Sequence, residues 1–149
     1  PEAVASVTSQ GITWASNHPE NLITTGSGAA LTGGWGIYSN PHGDQDVPDP
    51  NDFIEDGFIA SSDTSLVAVG GRFKGRPGSE LQLIVDGDEQ KPISLGPVSS
   101  IHRFYGVVVD GSFSTIEFRE IEGTWEDQKF FFADDFTLAL CDNLADGKK

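Results

Sequence analysis

The segment Lys129-Phe-Phe-Phe-Ala-Asp-Asp-Phe-Thr-Leu-Ala-Leu140 constrains this chain more than any other. At the two-residue period of a β-strand, Phe130, Phe132, Asp134, Phe136, Leu138 and Leu140 fall on one face. That row is apolar except for one carboxylate. An ionised Asp facing a core costs several kcal/mol unless it is paired or metal-bound. Either the strand is bulged at Asp134-Asp135, or Asp134 answers a cation, which Arg72, Arg103 or Arg119 would also provide.

The rest of the chain reads as strands and turns. Gly11–Trp14, Leu22–Thr25, Gly57–Ala60, Ser65–Lys74, Glu80–Val85, Lys91–Leu95, Arg103–Val109 and Phe113–Ile121 are short apolar or alternating runs. Ala3–Thr8 reads as a weaker strand or arm. Asp86-Gly87 and Asp110-Gly111 are turn signals, and Pro92 points to a sheet edge. The pair Gly70-Gly71 interrupts its strand and reads as a bulge or bend. Helical periodicity is almost absent. The 18 Gly and 8 Pro of the 149 residues punctuate these runs as in an all-β domain. The expected fold is all-β: a two-sheet antiparallel β-sandwich, with a jelly roll favoured over an immunoglobulin-like arrangement because the Cys–Trp–Cys frame is missing. One domain is expected over residues 1–141, followed by a polar tail, 142–149.

Nine basic and 23 acidic residues give a formal charge of −14. Such a surface repels phosphate backbones and anionic lipid, so neither nucleic acid nor a membrane is an expected partner. It favours divalent cations and neutral or cationic ligands. Cys141 is the only cysteine, so no internal disulfide forms. No stretch approaches the ~20 apolar residues of a membrane-spanning helix. His18, His42 and His102 show no metal-ligand spacing.

Three constellations are candidates for chemistry. Adjacent carboxylates at Asp134 and Asp135 suit a hard cation such as calcium, or a pairing with Arg or with backbone N–H groups at a bulge. The stretch Asn40–Asp56 carries Asp44, Asp46, Asp49 and Asp52; it is a solvated loop, a calcium site or a ligand-contacting loop. Trp35 and Tyr38 stand in a Gly-rich run and Trp125 in a polar loop; each is a core residue or a flat platform for a sugar ring. Trp14 and most Phe residues belong in the core.

Phe104–Phe118 together with Phe130–Leu138 resembles the C-terminal part of secreted bacterial β-sandwich domains. These are of the carbohydrate-binding-module and lectin-like jelly-roll type, in which the last strand carries a hydrophobic–Asp-Asp–hydrophobic signature. The resemblance implies an extracellular or cell-surface module that binds polysaccharide. In calcium-bearing members an Asp of that strand ligates a structural calcium with oxygens from near the first strand. By position Asp134 or Asp135 takes that role, with Glu2 or Glu20 as first-strand acids. Asp44-x-Asp46 and Val47-Pro-Asp49-Pro-x-Asp52 also resemble part of a thrombospondin-type calcium repeat. The leading expectation is a non-catalytic glycan-binding module stabilised by calcium. The alternatives are a structural or adhesive domain of a bacterial surface or matrix protein and a small polysaccharide-acting enzyme.

Overall fold

A computed structural model describes residues 3–17, 23–26, 36–39, 57–75, 78–121 and 131–141. Among them are ten strands. In chain order they are β1 (Ala3–Val4), β2 (Ser6–Ser9), β3 (Ile12–Ser16), β4 (Ile23–Gly26), β5 (Gly36–Ser39), β6 (Gly57–Gly75), β7 (Glu80–Val85), β8 (Ile93–Pro97), β9 (Arg103–Glu120) and β10 (Phe131–Leu140). Every pairing among them is antiparallel. None of the described residues is in a helix.

Two long strands organise the molecule. The first half of β6 pairs with β3 (Trp14 opposite Ala60) and with the second half of β9 (Ile59 opposite Glu117). The second half of β6 pairs with β10 (Ala133 opposite Phe73) and with the first half of β9 (Val69 opposite Val107). One layer therefore runs β2-β3-β6-β9-β7-β8 and the other β1-β4-β5-β10-β6-β9, with β6 and β9 turning the corner between them. The corners are where the ladder loses register, between Ser61 and Ala68 on β6. There Thr64 N–H donates to Ser62 Oγ, and on β9 Gly111 takes a φ of 104°.

This corrects the sequence reading. The runs on either side of Ser61–Thr64 are one strand, and Asp110-Gly111 bends β9 without reversing it. Gly70 and Gly71 stay in regular register with Gly106 and Tyr105. The irregularity lies on the opposing strand instead. Asp134 faces Arg72 and Thr137 faces Gly70, so β10 carries one extra residue at this point. The bulge splits the Phe130–Leu140 row; Lys129 and Phe130 lie outside the described residues. Asp134 keeps the side of Phe132, whose ring carries Lys74 Nζ 5.2 Å from its centroid, while Phe136 and Leu138 pack on the core.

The core sits between the layers. Phe58 and Phe118 of one layer meet Phe73 of the other at ring-centroid distances of 6.3 and 5.1 Å. Trp14 meets Phe136 at 4.2 Å. Leu81 and Leu83 are fully buried from β7, as their alternation requires. Each such side chain contributes about 1.5–3 kcal/mol against exposure. Pro92 precedes β8, which forms an edge and, among the described strands, pairs only with β7.

Candidate functional site

A cleft opens where the β2–β3 hairpin of one layer stands beside β5 and β10 of the other. The hairpin is tight: Ser9 pairs with Ile12 across a two-residue turn, with Gln10 at φ 52° and Gly11 at φ 79°. Two consecutive positive φ angles suit a right-twisted hairpin. The turn places Gln10 at the rim. Ile12 and Trp14 alternate inward and are buried, so they form the floor with Ile37 of β5 and with Ala133 and Leu138 of β10.

The opposite rim is the bulge of β10. Asp134 and Asp135 line the cleft beside Val7, Ser9 and Gln10, and Phe136 closes its inner side against Trp14. Asp135 adopts φ 50°, a left-handed conformation that Asp tolerates better than most residues. Its backbone N–H donates to Asp134 Oδ1 at 2.8 Å, which orients that carboxylate. Asp135 Oδ2 stands 3.9 Å from Arg72 Nε in a partly exposed ion pair. The cleft has a volume of ≈ 360 Å³, within the ~300–1,000 Å³ range of small-ligand sites. It combines an apolar floor with an acceptor-rich rim.

Two adjacent carboxylates fall short of the six to eight oxygens that calcium takes. Among the described residues no group of three or more His, Cys, Asp or Glu side chains comes together as a metal site. Asp44, Asp46, Asp49, Asp52, Trp35 and Trp125 lie outside the described residues. Tyr38 lies on β5, opposite Thr24 and next to the cleft residue Ile37. Trp14 is a core residue, as its sequence context requires, but Phe104 is 57% exposed. Sequence reasoning missed Ser9, Gln10, Ile12 and Ile37 as the lining of a cleft. Gln10-Gly11, flanked by alternating residues, was the available signal.

Among the described residues, an ion-pair network lies on other strands. Arg119 of β9 donates from Nε to Glu117 at 2.6 Å and through both terminal nitrogens to Glu89 at 3.1 and 2.8 Å. Asn17 Nδ2 donates to the same Glu117 at 3.0 Å. Burial pulls the Arg119 guanidinium downward, but its hydrogen bonds to Glu117 and Glu89 prevail and hold it above the ordinary arginine value. The Arg119 hydrogen bond in turn holds Glu89 below the usual carboxylate value. The network ties the β7–β8 connection to the sheet.

The sequence matches no protein-family profile and no curated protein. Among solved structures it is similar to the K2 cleaved adhesin domain of Lys-gingipain, with a TM-score of 0.56 and 12% identity over 85% of this chain and 89% of that one. It is also similar to TmCBM61, solved in complex with beta-1,4-galactotriose, with a TM-score of 0.49 and 14% identity over 88% of this chain and 89% of that one. The likeness to the adhesin domain is one of fold, and that fold is the antiparallel β-sandwich.

Proposed function

We propose that this chain is a non-catalytic, extracellular carbohydrate-binding module whose ligand site is the cleft between the β2–β3 hairpin and the β10 bulge. One observation carries the reading: a saccharide-sized hollow with an apolar floor of Ile12, Trp14 and Ile37 under a rim of Ser9, Gln10, Asp134 and Asp135. A pyranose has the same division, with apolar C–H faces and a hydroxyl edge. Carboxylates accept from hydroxyls, and such charge-assisted hydrogen bonds are stronger than neutral ones. Gln10 and Ser9 offer both donors and acceptors. The net charge of −14 favours a neutral sugar over an anionic one.

Affinity electrophoresis through neutral polysaccharides tests this. Retardation is expected for the unaltered chain and loss of it in Gln10→Ala and Asp135→Asn. If no neutral polysaccharide retards the chain, the glycan reading fails and an adhesive or structural role takes its place.

Calcium belongs to the proposal as a stabiliser held at Asp134 and Asp135, with further oxygens supplied from elsewhere in the chain. A saturated site raises stability by RT ln(1 + [L]/Kd), roughly 2.7 kcal/mol at a hundredfold excess over Kd. The expected result is a higher melting temperature in calcium than in chelator, and no difference in Asp134→Ala. Equal melting temperatures for the unaltered chain would remove calcium from the account and leave the cleft as a metal-free site.

A further inference from the structure

The second layer ends on the first half of β9. Residues 103–108 pair with β6 on one side, and no described strand pairs with them on the other. An unpaired strand edge presents a row of backbone donors and acceptors that another strand can satisfy. The molecule treats its edges unequally. β8 is blunted by Pro92 before it, Pro97 at its end, and Gly96 at φ 78° beside a register shift. Phe104-Tyr-Gly-Val-Val-Val109 has no proline and no charge. Its outward side chains are open to solvent, with Phe104 57% and Val108 79% exposed. Beside them lies an apolar hollow of ≈ 260 Å³ lined by Gly70, Phe104, Gly106, Val108, Thr137 and Ala139. The tip of the Phe104 ring fills the space where a side chain on Gly70 would stand.

We propose that this edge joins a second copy of the same chain, antiparallel, about a twofold axis through Gly106. The sequence is self-complementary in that register. Phe104 stands opposite Val108 and Tyr105 opposite Val107, so each aromatic meets a β-branched residue, a favourable cross-strand pair. Gly106 meets its own copy, where the lack of a side chain lets the two backbones close. Asp110 comes opposite His102 at each end of the joint, so a carboxylate acceptor faces an imidazole that can donate to it. The pairing extends each second layer into the other and covers the exposed Phe104 and Val108 rows. One strand per side makes an interface below about 1,200 Å², the range of weak, reversible complexes. A charge of −14 on each chain opposes association, so screening salt strengthens it.

Sedimentation velocity of the full chain across a concentration series tests the proposal, in low salt and at about 1 M salt, where the Debye length is about 3 Å. A reversible monomer–dimer equilibrium is expected, displaced toward dimer by salt. Val108→Lys, at an exposed position, should retain the melting temperature and weaken association about tenfold or more. In a Cys141→Ser background, mixing Phe104→Cys chains with Val108→Cys chains in the presence of oxidised glutathione, which takes up the two electrons, should yield a disulfide-linked heterodimer. The proposal is overturned if the chain stays monomeric at the highest concentration in high salt. Open-ended association beyond the dimer, a dimer unaffected by Val108→Lys, or failure of the mixed cysteines to cross-link overturns it equally.

Discussion

Gly71 shows how one residue settles the position of the cleft. A Cβ there would stand 2.8 Å from Phe136 Cδ1 and 3.2 Å from Phe73 Cε2. The ring of Phe136 therefore occupies the space that the glycine leaves, which lets it pack on Trp14 while the carboxylates stay at the rim. Gly71→Ala should destabilise by roughly 1–3 kcal/mol through displacement of that ring. Chemical denaturation checks this; an unchanged midpoint would show that the ring gives way freely. Asp86 is the second sensitive residue. Its Oδ1 accepts from Ser114 N–H and Thr115 N–H, both at 2.8 Å, and its φ of 47° suits Asp or Asn. Asp86→Asn keeps an acceptor and the conformation, whereas Asp86→Ala loses both, so Ala should cost roughly 1–3 kcal/mol more in the same measurement. The conflict at Asp134 was legible in sequence, and so was a bulge at Asp134-Asp135 as one way out of it, which the register of β10 against β6 bears out; the choice of the bulge over a cation was not legible. Periodicity counts residues along one strand, and a bulge is a mismatch between two.

At the scale of elements, two dipeptides that read alike in sequence behave differently. Asp86-Gly87 reverses the chain, with Asp88 N–H closing the turn on Val85 O at 2.9 Å. Asp110-Gly111 only bends β9, because Phe113–Glu120 finds its partners on β6 and β7 rather than on the preceding half of its own strand. Local turn chemistry was visible, while the choice between reversal and corner rested on pairings distant in sequence. The β7–β8 connection also carries a pH signature through Glu89 and Arg119. A carboxylate with a lowered folded pKa stabilises above its unfolded value and loses that contribution as pH falls through the folded one. Glu89 lies below its ordinary 4.5, so the contribution is present at neutral pH and declines in acid below 4.5. Because Glu89 is largely exposed, the effect is small and screened by salt. Urea melts of Glu89→Gln should fall short of the unaltered chain at neutral pH, and the gap should close in acid. A gap that persists unchanged at low pH would assign the loss to packing rather than charge.

Over the whole molecule, the β-sandwich was legible because apolar alternation and turn residues recur along the chain. The candidate site was legible only on one side. Asp134 and Asp135 announce themselves within their strand, whereas Ile12, Trp14 and Ile37 become neighbours of that strand through topology. The corner strands have a further consequence. In many sandwiches the layers are joined by loops, and either can fray while the other persists. Here β6 and β9 are covalent rivets through both layers, so neither layer can melt without tearing a strand that the other needs. The amides of Ile59 and Val69, in the two halves of β6 on either side of its corner, should then share one opening free energy in native-state hydrogen exchange, equal to that of global unfolding. Two distinct values would mean that the rivet yields at Ser61–Leu66 and that the layers come apart as separate units.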